Sequence, residues 1–164
     1  MTNKTKSEMM IDSEKLEIVI SRVFDAPRAL VFKVYTHPKL IPQHWGPRNL
    51  TTVIDKLDLR PGGVWRFVQH DPEGNEFAFN GVYREVTPPE RLVYSFEYEG
   101  MPGHILEETI TFEEHGGKTT LTARDVFHSL EDLNGMVAAG MEAGVIESYE
   151  RLTELLQSLQ GQAR

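Results

Sequence analysis

The sequence contains no cysteine, so it holds no disulfide, no thiolate nucleophile and no cysteine-ligated metal. Long apolar runs are missing too. Nothing approaches the roughly 18 consecutive apolar residues that mark a membrane span, and residues 1–15 are polar, without the apolar centre of a secretory signal. No membrane span and a cytoplasmic location are therefore expected. Net positive charge is lacking as well: 17 Lys and Arg stand against 25 Asp and Glu, a formal charge of −8. Nucleic-acid binding relies on cationic patches that displace phosphate counterions, so nucleic acid is not expected as a partner.

Catalytic signatures are equally scarce. The sequence has no His-Glu-x-x-His pair, no dinucleotide fingerprint and no Gly-x-Ser-x-Gly elbow. Gly116-Gly117-Lys118-Thr119 looks like the end of a phosphate loop, but Phe112 stands where that pattern needs glycine. Placed between two strands, it reads as a hairpin turn. The six histidines (His37, His44, His70, His104, His115 and His128) sit mostly beside turns, without metal-ligand spacing. They read as surface or loop residues, and neither a metal nor a cofactor is expected.

What is present is a run of strands followed by a helix. Residues 1–14 show no period and read as a flexible tail before a single domain at 15–164. Leu16 to Phe24 alternates as a strand. Asp25-Ala26-Pro27 reads as a helix start, with Asp25 as N-cap and Pro27 in the first turn; Leu30, Val31, Val34 and Tyr35 face inward, and Pro38 ends the helix. A second short helical piece leads to His44-Trp45-Gly46-Pro47. Six more strands follow, at Leu50–Leu59, Val64–His70, Phe77–Val86, Leu92–Tyr98, Leu106–Phe112 and Thr119–Phe127. Short turns join most of them, which favours antiparallel pairing.

The last element reads as one helix from about Met136 to Leu159, with Met141, Val145, Tyr149, Leu152, Leu155 or Leu156, and Leu159 on one face. Gly140 and Gly144 interrupt that face, each costing about 1 kcal/mol against alanine. They suggest that sheet backbone or a ligand comes close to the helix. Strand parity turns Trp65, Phe67, Tyr94, Phe96, Ile110, Phe112, Leu121 and Ala123 towards it. Phe79 and Tyr83 share a parity, though a bulge would shift part of that strand. Three polar residues fall on the same inward face: Gln69, Glu108 and Asp125. A carboxylate there must find a partner, reach water at the rim, or have its pKa raised.

Six segments stand in order along the chain: Phe24-Asp25-Ala26-Pro27, Trp45-Gly46-Pro47, Asp58-Leu59-Arg60-Pro61-Gly62-Gly63-Val64-Trp65-Arg66-Phe67, Gly81-Val82-Tyr83-Arg84-Glu85-Val86, Pro88-Pro89-Glu90-Arg91-Leu92 and Gly140-Met141-Glu142-Ala143-Gly144. This series, over about residues 16–159, resembles the SRPBCC superfamily of START-like and birch-pollen-allergen-like proteins. Within it, the series is most similar to the AHSA-like branch, related to the activator of heat-shock-chaperone ATPase. The resemblance implies an α+β helix-grip fold. A seven-stranded curved antiparallel sheet would wrap around a long C-terminal helix, with two short helices after the first strand. It also implies a deep, mostly apolar cavity between sheet and helix. The eukaryotic activators carry a further chaperone-binding domain, so a chaperone partner follows only weakly from it.

Three functions are compatible with these residues. The leading one is a binding protein for a hydrophobic, aromatic or lipid-like small molecule. Its lining would be Trp45, Trp65, Phe67, Gln69, Phe79, Tyr83, Tyr94, Phe96, Glu108, Ile110, Met141 and Val145. The second is an enzyme of the polyketide cyclase, aromatase or hydrolase type; no residue reads as catalytic outright, and Glu108 and Asp125 are the candidates for moving protons. The third is a co-chaperone that uses its surface. Met101-Pro102-Gly103-His104 reads either as a plain connection or as a loop over the cavity mouth. The sequence leaves the ligand unidentified and a homodimer open.

Overall fold

The computed structural model describes residues 7–162; residues 1–6 of the expected tail lie outside them. Eight strands follow the chain: β1 (Glu8–Asp12), β2 (Glu17–Phe24), β3 (Thr51–Leu57), β4 (Val64–His70), β5 (Glu76–Thr87), β6 (Arg91–Tyr98), β7 (Leu106–His115) and β8 (Lys118–Val126). They form one sheet in the order β1-β2-β8-β7-β6-β5-β4-β3. Every neighbouring pair is antiparallel. Helix α1 (Arg28–Thr36) and a 3-10 turn (Ile41–Gln43) connect β2 to β3, and α2 (Leu130–Ala138) and α3 (Met141–Gln162) close the chain.

The eighth strand corrects the expected tail. β1 lies along β2, from Glu8 opposite Ser21 to Asp12 opposite Glu17. Its side chains gave no alternation because only Met9 packs on the core, while Met10 and Ile11 stay exposed. The strand is held by backbone pairing at the sheet edge. Its turn carried a legible signal: the Asp12 carboxylate accepts the backbone N–H groups of Glu14 and Lys15 at 3.0 and 3.1 Å.

Two helix expectations also change. The N-cap of α1 is Pro27, not Asp25, and no side chain caps it. The expected single final helix is two. Ser129 caps α2, its hydroxyl accepting the Asp132 N–H at 3.1 Å. Gly140, at φ +85°, then ends α2 and turns the chain into α3; that left-handed conformation is open to glycine at little cost. Elsewhere the spacing holds. Tyr149, Leu152 and Leu156 are the buried face of α3, and each leucine removed from water contributes on the order of 1.5–3 kcal/mol. Strand parity holds as well, with Trp65, Phe67 and Gln69 buried in β4 and Leu121, Ala123 and Asp125 in β8. A bulge in β5 between Tyr83 and Glu85 shifts the register there. On the outer face Arg66 pairs with Glu99 and Arg124 with Glu17.

Candidate functional site

The concave face of the sheet and α3 do not meet everywhere. A cavity of about 290 Å³, partly open to solvent, lies between them. Its sheet wall is Ile20, Ala123, Asp125, Leu106, Glu108, Phe96, Phe79 and Gln69, from β2, β8, β7, β6, β5 and β4. Tyr35 of α1 and the loop His44-Trp45-Gly46-Pro47 form a second wall. Met136 of α2 and Met141, Gly144, Val145, Ser148 and Tyr149 of α3 form the third. A smaller void of about 40 Å³ shares Tyr35, Trp45, Phe96 and Glu108 with it and reaches Trp65, Phe67, Tyr83, Leu92 and Tyr94.

The aromatic side of the cavity is a mesh rather than a set of single rings. Trp45 meets Phe67 and Phe79 edge-on, at centroid distances of 5.1 and 5.3 Å. Phe79 lies 5.6 Å from Phe96, and Trp65 lies 4.9 Å from Phe67. Such pairs contribute about 0.5–1.5 kcal/mol beyond their buried area, which favours a fixed wall. The Trp45 loop is fastened to α3: Ser148 Oγ donates to the His44 carbonyl at 2.6 Å, and Arg151 donates to the Gly46 carbonyl at 2.9 Å. Arg48 adds an ion pair with Glu154.

A polar row crosses the sheet under this mesh. Tyr83 stands opposite Tyr94, Tyr94 opposite Glu108, and Glu108 opposite Asp125. Tyr94 Oη donates to Glu108 Oε1. Burial, and then the Glu108 charge, push the Tyr35 and Tyr94 phenols well above their ordinary range, so both remain protonated donors. Asp125 is only 7% exposed. Burial first, then the neighbouring Glu108 carboxyl, raise its pKa well above that of an exposed aspartate. The Asp125 carboxyl thus holds its proton more firmly than an exposed aspartate does. Its Oδ1 is buried without any hydrogen-bond partner.

His44 sits in a turn, one of the two placements expected for the histidines, but is buried rather than at the surface, at 2% exposure. Its Nε2 lies 3.0 Å from the Val34 carbonyl, and a carbonyl only accepts, so Nε2 carries the hydrogen. Burial, against the Val34 hydrogen bond, and the Arg151 charge push the imidazole down from 6.5 to about 4. The unfolded chain therefore binds the extra proton between those values. The stability of the neutral form is fully present above pH 6.5 and is lost as pH falls towards 4, on the order of 3 kcal/mol in all. Asp125 has the opposite sign, contributing stability at low pH that fades as pH rises. Urea unfolding across this range, wild type against His44→Gln, cancels the Asp125 contribution. The variant should lose less stability on acidification, by up to about 3 kcal/mol. Parallel curves would show that His44 does not titrate as described.

The cavity brings together Trp45, Gln69, Phe79, Phe96, Glu108, Met141, Val145 and Asp125. Trp65, Phe67, Tyr83 and Tyr94 lie one layer deeper, around the smaller void. Ile110 joins neither: it is wholly buried in the core, two residues past Glu108 and away from the open space. The sequence reading passed over Tyr35, His44 and Tyr149 as wall residues, which periodicity marks only as core. The glycine reading also changes. A Cβ on Gly140 or Gly144 would meet no atom within 4 Å, so nothing crowds the helix there. Gly144 instead leaves volume to the cavity. The 101–104 loop is tied to α2, with His104 Nδ1 2.8 Å from Asp132 Oδ1. Among the described residues no group of three or more metal-ligating side chains occurs, and no helix is long and apolar enough to cross a membrane.

A sheet gripping a long helix over a cavity defines the SRPBCC class of domain, and the comparisons agree. The family model described as activator of Hsp90 ATPase homolog 1-like protein matches residues 25–157, and the chain belongs to that family. No curated protein matches the sequence. Among solved structures, the chain is similar to protein Ms6760 from Mycobacterium smegmatis, at 24% identity and a TM-score of 0.83 over 91% of this chain and 95% of that one. A protein from Rhodobacter sphaeroides is 22% identical with a TM-score of 0.86, over 93% and 99% of the two chains. Protein NE0264 from Nitrosomonas europaea is 26% identical with a TM-score of 0.79, over 90% and 97%. These likenesses show the fold.

Proposed function

We propose that this protein binds a small hydrophobic or aromatic molecule in the cavity between sheet and α3. The observation that carries this reading is the space itself: about 290 Å³ walled largely by aromatic and aliphatic side chains. That lies at the lower end of the roughly 300–1,000 Å³ usual for small-molecule sites. The occupant is accordingly compact, of two or three rings rather than a long acyl chain. The rigid aromatic mesh keeps the space open, so that binding does not have to assemble the walls.

The uncharged dye N-phenylnaphthylamine tests the reading. It should bind saturably, one per chain, and quench tryptophan emission through Trp45. Gly144→Leu should abolish this uptake, because the new side chain enters open space in the wall. The same substitution removes a helix-interior glycine, so its melting temperature should hold or rise, glycine costing about 1 kcal/mol there. Undiminished dye binding in Gly144→Leu would place the ligand elsewhere.

A second reading has an observation of its own. Glu108 and Asp125 face each other at one cavity wall, and burial raises the Asp125 pKa; carboxyl pairs of this kind serve acid–base catalysis. Turnover of a cyclisable aromatic polyketide that disappears in Glu108→Gln would favour it over binding alone.

A further inference from the structure

The polar end of the cavity is electrostatically one-sided. Glu108 and Asp125 lie side by side across β7 and β8, and among the described residues no lysine or arginine lines the space with them. The remaining titratable groups around the pair are the phenols of Tyr35 on α1, Tyr83 on β5, Tyr94 on β6 and Tyr149 on α3. All four are raised, with burial the leading cause, so they stay neutral and balance no charge. His44 is neutral also. Arg22 acts on Tyr149 from β2 but does not reach the cavity wall. Glu108 accepts from Tyr94 Oη and shares a hydrogen bond with the Asp125 carboxyl. Asp125 Oδ1, more than nine-tenths buried with its residue, has no hydrogen-bond partner.

A carboxyl pair, one member buried and the other half-buried, with no cation beside it is a costly arrangement for an empty site. The missing component has a definite chemistry: a positive charge with several N–H donors on a compact apolar body. We propose that the cavity takes a protonated organic amine, its ammonium seated against the Glu108 carboxylate beside Asp125 and its ring against Trp45, Phe79 and Phe96. The ammonium supplies the positive charge that the carboxyl pair lacks. The aromatic faces add cation–π attraction, which strengthens where water is excluded. An anionic ligand of the same shape meets a like charge in a poorly solvated space and is excluded. An uncharged alcohol gains a hydrogen bond but no charge compensation. The proposal rests on the cavity being a ligand site, as argued above, and specifies what that ligand is.

Three probes of matched shape separate these cases. Naphthylethylamine, naphthylethanol and naphthylacetate each compete with N-phenylnaphthylamine at pH 7 on the full-length chain. The amine should compete at least about tenfold more strongly than the alcohol, and the acetate weakest of all. In Glu108→Gln the amine-to-alcohol ratio should collapse to within about threefold. The dye itself reports whether that variant is folded; if it is not, the ranking on the wild-type chain decides. Equal or tighter binding of the alcohol, tightest binding of the acetate, or an amine preference that survives in folded Glu108→Gln overturns the amine assignment while leaving a ligand cavity in place. Failure of the wild-type chain to take up any dye or probe overturns both.

Discussion

Phe112→Ala should cost about 3–5 kcal/mol of stability, the range for emptying a fully buried aromatic site. Phe112 is 1% exposed, and its ring is the meeting point of α1 with the sheet. Phe32 packs edge-on against it at 5.2 Å, and Tyr35 does the same at 5.8 Å. Removing the ring leaves a void under both, which a rigid sheet closes poorly. For a domain of this size the melting temperature should fall by roughly 6–20 °C. The second consequence is functional. Tyr35 lines the cavity as well as packing on Phe112, so dye affinity measured well below the lowered transition should weaken too. A loss under about 1 kcal/mol would mean that α1 is not anchored here.

Gly46→Val acts on the cavity wall directly. Gly46 has φ +91°, a region that a β-branched side chain enters only with strain of about 1–3 kcal/mol. A Cβ at this position would also lie 2.0 Å from Gln69 Nε2. Gln69 is buried and linked through Thr52, whose hydroxyl donates to the Trp45 carbonyl at 3.0 Å. The amide must swing away from Thr52, losing a hydrogen bond of about 1 kcal/mol, and the open space it finds is the cavity. The total of about 2–4 kcal/mol should appear in urea unfolding, together with a loss of dye binding. Wild-type binding in the variant would show that the Trp45 loop does not shape the site.

Much of this molecule was legible from residue pattern. Alternation in β4, β6 and β8 identified the inward face, because a half-buried strand must put apolar side chains on one side only. Three-and-four spacing located the buried face of α3 for the same reason. Glu108, Asp125 and Gln69 stood out because they broke that pattern. Other features were less visible. β1 has too few inward side chains to leave a period, since hydrogen bonds to an edge strand ask nothing of sequence. Ser129 marks the start of α2 and Gly140 its end, yet the apolar spacing runs across the break before α3 and hid it.

Pattern alone determined which side chains point inward and that a sheet must close against a terminal helix, because alternation and helical spacing follow from local geometry. Tertiary structure decided which inward residues touch solid core and which touch open space. Ile110 and Glu108 share a strand face, yet one is packed and the other lines the cavity. The pairing of Glu108 with Asp125, the neutral burial of His44 and the empty volume beside Gly144 were decided there too. Each depends on how far apart separately folded elements come to rest, a distance that no local periodicity encodes.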